Sequence, residues 1–118
     1  MKKKLTFLIL TLSVALAILI FDQGLLDNPT LAANTANGAK IFKLHCMVCH
    51  LKERNMIIPG KDLTQEALAA NEMDNSEAII AQVTNGKNAM PSFRARLRRE
   101  DIQDVAAYVL EQAANDWK

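Results

Sequence analysis

Residues 46–50, Cys-Met-Val-Cys-His, are the stretch of this chain whose residue types and spacing can do chemistry. Cys46 and Cys49 stand about one helical turn apart, so both sulfurs leave the chain on one side. Two thiols so placed suit the two vinyl groups of a haem, which take them up as thioethers. His50 follows at once, where its imidazole can reach the iron from below the ring. C-x-x-C-H reads as a c-type haem attachment site. The chain has two cysteines, both in this motif, so their use on haem leaves none for a disulfide or a cysteine-rich metal cluster.

A six-coordinate iron needs a partner for His50, and the sequence offers Met47, Met56, Met73, Met90 and His45. Met47 and His45 lie too close to the attachment turn to cross the ring. His45 is expected to face solvent or end a helix. Met56 follows His50 closely in an apolar loop, where packing is the natural role of a methionine. Met73 falls between two helices and stays open as a ligand. Met90 has enough chain behind it to reach the opposite face. Pro91 fixes the backbone beside it, and Gly86 allows a tight approach. His/Met ligation raises the haem potential and marks electron-transfer cytochromes. It leaves the iron no open position for oxygen or peroxide, so the chemistry reduces to one electron in and one electron out.

Short helices must position these groups. Asn37-Gly38-Ala39-Lys40-Ile41-Phe42 opens a helix that runs into the haem motif. A loop over residues 55–59 has an apolar centre. Residues 64–70 suit a short helix capped by Thr64. Ser76 is the next expected cap, with Ile79, Ile80 and Val83 at helical spacing and Asn85-Gly86 ending the run. The last helix is expected to start at Glu100 or Asp101. Ile102, Val105, Ala106, Val109, Leu110 and Ala113 form its apolar stripe. No alternating strand pattern of useful length occurs. The expected fold class is all-α: about four short helices around one covalently bound haem.

The chain has 118 residues, 14 of them Lys or Arg and 13 Asp or Glu. That is one small domain, without the basic excess that nucleic-acid binding calls for. Lys2, Lys3 and Lys4 precede an apolar run over residues 5–21, and small residues follow at Ala32 and Ala33. A basic start, an apolar run and a small-residue site form a secretory signal layout. Residues 1–32 are read as a signal peptide, cut after Ala32 or Ala33, and 33–118 as the folded domain. The alternative is an uncleaved anchor, although the run falls short of the roughly 20 residues of a typical span. On either reading the folded part lies across a membrane. A domain of about 86 residues buries a modest core and gains from a covalently held apolar cofactor.

Several stretches together resemble cytochrome c6. They are Asn37-Gly38-Ala39-Lys40-Ile41-Phe42, the haem motif, Arg54-Asn55 with Pro59, Lys61-x-Leu63 and Glu77-Ala78-Ile79. The most specific is Gln82-Val83-Thr84-Asn85-Gly86-Lys87-Asn88-Ala89-Met90-Pro91. Arg96-Leu97, Glu100-Asp101-Ile102, residues 105–110 and Trp117 complete the match. The resemblance implies the small class I cytochrome c fold, one haem c on Cys46 and Cys49, and His50 and Met90 as axial ligands. It implies that the Pro59 carbonyl steadies the axial imidazole and that Gln82 sits beside the haem, favouring a high potential. It further implies a monomeric carrier between the cytochrome b6f complex and photosystem I in a thylakoid lumen, cyanobacterial or plastid, with a terminal cytochrome oxidase as a further partner and the periplasm as the alternative location. Where the family usually has glycine, this chain has Lys52, Glu53 and Arg94; an aromatic and a glycine are usual near Asn71-Glu72.

Arg94, Arg96, Arg98 and Arg99 cluster just after the Met90 loop. One reading is a solvated turn, half neutralised by Glu100 and Asp101. The other is a docking patch for an acidic partner, with Arg96 the position that the resemblance supports. Against the electron carrier stand three other readings. A haem peroxidase would want an open distal face with a proton-handling His or Arg. A membrane-anchored cytochrome would keep its leader. A redox dithiol would leave His50 and Met90 without a purpose.

Overall fold

Asn34 starts the first helix of the folded unit, because its side chain accepts from the Asn37 N–H at 3.0 Å and so satisfies one of the donors a helix leaves open. The computed structural model describes residues 1–5 and 32–118 of the chain. It divides into two compact units, Met1–Ala32 and Ala33–Lys118. In the first, residues 2–5 are helical; from residue 6 onward the apolar run expected to form the leader lies outside the described residues. Among the described residues no helix is long and apolar enough to cross a membrane.

The second unit is built from helices α1 (Thr35–Ile41), α2 (Gln65–Ala70), α3 (Ser76–Asn85) and α4 (Arg99–Ala114), with a two-stranded ladder of β1 (His50–Leu51) and β2 (Arg54–Asn55). The expected all-α architecture of about four short helices is present, with the two-residue ladder as an addition. Helix α1 begins earlier than expected, at Thr35, because Asn34 supplies the cap. It passes directly into a π-helical turn, Phe42–Cys46, in which the Met47 N–H reaches back to the Phe42 carbonyl at 3.0 Å. Such widened turns re-aim the side chains that follow, here the haem motif. Helix α2 is capped by Thr64 as expected, its hydroxyl accepting from the Ala67 N–H at 3.1 Å.

Two other helix starts differ from expectation. Asn75 rather than Ser76 caps α3, accepting from the Ala78 N–H at 2.9 Å; of two adjacent cap formers, the upstream one has the extended backbone a cap requires. Helix α4 begins at Arg99, ahead of Glu100 and Asp101. A guanidinium cannot accept a hydrogen bond, so Asp101 reaches back instead. Its carboxylate takes Arg98 Nε at 2.9 Å, Nη2 at 3.0 Å and the Arg98 backbone N–H at 3.4 Å. Those bonds, with one from Asn37, hold the Asp101 carboxyl below the usual carboxylate range.

Ile102, Val105, Ala106, Val109 and Ala113 of the expected stripe are buried, while Leu110 is half-buried against the same core. Phe42 and Tyr108 bring their rings to within 6 Å of Trp117, at 5.1 and 6.0 Å between centroids. Trp117 Nε1 donates to the Leu63 carbonyl at 2.9 Å, so the C-terminus is fastened to the loop ahead of α2. The ladder pairs His50 with Asn55 and Leu51 with Arg54; two residues per strand are too few to give an alternating sequence pattern.

Lys52 in the hairpin turn and Glu72 after α2 have φ of 55° and 57°. A side chain with a Cβ is strained there by about 1–2 kcal/mol, while a glycine gives back about 0.4–1 kcal/mol through the freer unfolded chain. Lys52→Gly and Glu72→Gly are each expected to stabilise the domain by about 0.5–1 kcal/mol. A rise in the denaturant midpoint at unchanged slope would show it; a fall would refute the strain argument. Arg94 is not among the positive-φ residues, so its replacement of a glycine carries no such penalty.

Candidate haem site

The π-helical turn, the β1–β2 hairpin, α2, α3, the loop before Pro91 and α4 together enclose an open, mostly apolar cavity of about 390 Å³. Cys46, Cys49, His50, Gln82, Met90 and Arg96 all line it. Their separation in sequence is bridged by tertiary packing alone. Pro59 is exposed and is not among the residues that line the cavity.

Cys46 and Cys49 lie half-buried as free thiols. A tight turn joins them, the Cys49 N–H donating to the Cys46 carbonyl at 3.1 Å. Burial, and then the neighbouring Cys49, push the Cys46 thiol up to about 11. His50 is pushed down by burial, against an opposing pull from the carboxylate of Asp62. Its Nδ1 is buried without a hydrogen-bond partner. Burial thus favours a neutral imidazole, the form that carries a lone pair for a metal.

Met90 is half-buried and packs on the core. Its backbone is pinned at both ends of a short bridge: Lys87 N–H to the Met90 carbonyl at 2.9 Å, Met90 N–H to the Lys87 carbonyl at 3.0 Å. The bridge requires the sharp exit from α3 at Gly86, which has φ 72° and where a Cβ would meet the Met90 carbonyl oxygen at 2.7 Å. Beyond Pro91, the Ser92 hydroxyl donates to the Thr84 carbonyl at 2.6 Å and the Phe93 N–H to that of Val83 at 3.0 Å. Gln82 Nε2 donates to Met90 Sδ at 3.6 Å, which fixes where the thioether points.

Of the other methionines, only Met73 lines the cavity. Met47 and Met56 are 36% and 61% exposed and stay outside it. His45 is exposed at the rim, edge-on to Phe93 at 6.4 Å between rings. Two thiols, one half-buried imidazole and a held thioether around an apolar cavity are the donor set of a c-type haem, and the residues fit that group.

A family model described as "Cytochrome C oxidase, cbb3-type, subunit III" matches residues 33–109. The chain is 48% identical to the cytochrome c6 of Nostoc sp. strain PCC 7120 over 98% of this chain and 99% of that one. It is 50% identical to the cytochrome c6 of Thermostichus vulcanus, over 87% and 90%. The chain belongs to the cytochrome c6 family. The solved structure of cytochrome c6 from the diatom Phaeodactylum tricornutum superposes with a TM-score of 0.68 at 44% identity, covering 71% of this chain and 99% of that one. Cytochromes c6 are electron-transfer proteins rather than enzymes, and the cofactor is one covalently attached haem c.

Beside the expected residues, the cavity wall carries several that sequence reading did not single out: Asp62, Asn71 and the aromatic Phe93. Asp62 lies in a loop at the unspecified middle position of Lys61-x-Leu63, so that stretch assigns it no role. Only the folding of that loop against the hairpin brings it to the haem site.

Proposed function

We propose that this chain is a one-electron carrier of oxygenic photosynthesis, taking electrons from the cytochrome b6f complex to photosystem I. Cys46 and Cys49 hold the haem covalently; His50 and Met90 ligate its iron. The observation that carries this reading is the Gln82–Met90 contact: among the described residues, the one methionine held by a side-chain donor faces the same cavity as His50 and both cysteines. When bound, the haem would supply a one-electron couple, with His50 and Met90 as the residues that would hold its iron. The chain's own part is to grip it by two thioethers, to keep His50 neutral by burial, and to exclude water with an apolar wall. An optical spectrum recorded against applied potential tests the assignment. A colourless matured protein, or a five-coordinate iron, would overturn it.

We place the carrier in the thylakoid lumen, exported by a signal peptide over residues 1–32. The measured mass of the mature protein tests removal after Ala32 or Ala33; a full-length mass would mean a retained anchor.

Arg96 is the proposed docking residue. It is exposed at the cavity rim. Among its neighbours, Arg94 is bonded to Asn85 and Arg98 to Asp101, whereas the Arg96 guanidinium makes no hydrogen bond or ion pair among the described residues; only its backbone N–H is engaged, donating to the Phe93 carbonyl at 2.9 Å. A cation so placed speeds encounter with an acidic surface and is screened by salt. Arg96→Glu is expected to slow second-order reduction of photosystem I by about tenfold at low salt, with the midpoint potential unchanged. Equal rates at low ionic strength would remove Arg96 from the interface.

A further inference from the structure

We infer that Asp62 is a positioning and tuning residue of the haem site, a fixed negative charge on the His50 side of the cavity that holds the midpoint potential down. The inference rests on the haem and ligand assignment above and concerns this chain's own wall residues.

The geometry is local and specific. His50 pairs with Asn55 across the β1–β2 ladder. The Asn55 N–H donates to Asp62 Oδ1 at 2.7 Å, so the carboxylate is tied to the residue directly opposite the imidazole. Asp62 lines the cavity and is only partly exposed. The next residue is clamped: the Leu63 carbonyl accepts from Trp117 Nε1. On the other side, Lys61 turns its ammonium to the Asn71 side chain. Asp62 itself makes no ion pair among the described residues, so no cation cancels its charge at contact distance.

An uncompensated carboxylate beside an apolar cavity acts over a longer range than one in water, because the low-dielectric wall screens it weakly. Its field favours the more positive, ferric state of any iron bound by His50. Gain of one electron is thereby made less favourable. Net charge and burial near the site are among the levers a protein has on haem potential. Asp62 and Gln82 would then pull in opposite directions, Gln82 being the residue associated with a high potential.

The test uses the matured holoprotein. Asp62→Asn keeps an oxygen that can accept the Asn55 N–H and removes the charge; Asp62→Ser is a second neutral acceptor. Asp62→Glu keeps the charge. At an applied potential where the parent protein is half reduced, the ferrous-to-ferric ratio is expected to rise roughly 3- to 10-fold in Asp62→Asn and Asp62→Ser. In Asp62→Glu it should stay within about twofold of the parent. Denaturant unfolding of the two oxidation states gives an independent readout: the ferric form should lose stability relative to the ferrous form by the same factor in the neutral variants. An unchanged ratio in either neutral variant that carries haem, or an equal shift in Asp62→Glu, would overturn the proposal. So would failure of both neutral variants to retain haem while Asp62→Glu retains it, which would make the residue a structural one. A parent protein that is haem-free or five-coordinate shows itself in the starting spectrum, and that outcome would sink the ligand assignment instead.

Discussion

Met90→Ala is expected to lower the midpoint potential and open the iron to added ligands. The thioether is the softer of the two proposed axial donors, and His/Met pairs raise the potential of cytochromes c. Its loss should reduce the ferrous-to-ferric ratio at a fixed potential by at least a factor of ten, a shift of about 59 mV or more for one electron. Carbon monoxide, which an occupied sixth position excludes, should then bind the reduced protein rapidly. The fold should survive, since Met90 is only half-buried and its loop is held by the bonds of Lys87, Ser92 and Phe93. The sulfur is also the acceptor of the Gln82 side chain, so part of the effect passes through a freed amide. A methionine-to-iron absorption band that persisted in the variant would transfer the ligand role to Met73, the other methionine on the cavity wall.

Gly38→Ala is expected to cost the domain more than any truncation of a surface side chain. Gly38 is buried where α1 crosses α4. A Cβ there would stand 2.2 Å from the Asp104 carbonyl oxygen and 2.8 Å from Tyr108 Cβ. The nearest obstacle is helix backbone, which cannot rotate aside as a side-chain tip can. The crossing is further fixed by the Asn34 N–H on Asp104 Oδ1 at 2.7 Å and by Asn37 Nδ2 on Asp104 Oδ2 at 2.8 Å and on Asp101 Oδ1 at 3.1 Å. The helices must therefore separate and break these bonds, or accept the overlap. Overpacking of this kind costs about 1–3 kcal/mol, occasionally more, and we expect the upper part of that range against a total stability of about 5–15 kcal/mol. Denaturant unfolding of the holoprotein measures it directly. A midpoint equal to that of the parent would mean that the crossing is looser than the structure has it.

Much of the fold was legible in the residues because its signals are local. Thr64 and Gly86 act where they stand in the chain, one capping and one ending a helix, and the stripe from Ile102 to Ala113 repeats at the period of its own helix. Helix starts are less local where two residues able to cap stand side by side. The choice of Asn75 over Ser76, and of Asp101 as an anchor inside α4 rather than its first residue, depends on backbone angles that adjacent residue types do not dictate. The two-residue ladder escaped notice because it is shorter than the period that would reveal it.

The sequence by itself determined the chemistry on offer: two thiols and an imidazole at haem-binding spacing, and a Gly-to-Pro stretch that carries a methionine. Bond-forming groups three and four residues apart keep their relation whatever the rest of the chain does. Only the tertiary structure decided which distant groups share the cavity. It brought Gln82 to the Met90 sulfur, kept Met73 on the wall while leaving Met56 outside, left Pro59 exposed, and bonded the Asp62 carboxylate to the residue facing His50. Such meetings depend on how helices cross and which surfaces they bury, and a residue's sequence neighbours carry no record of that.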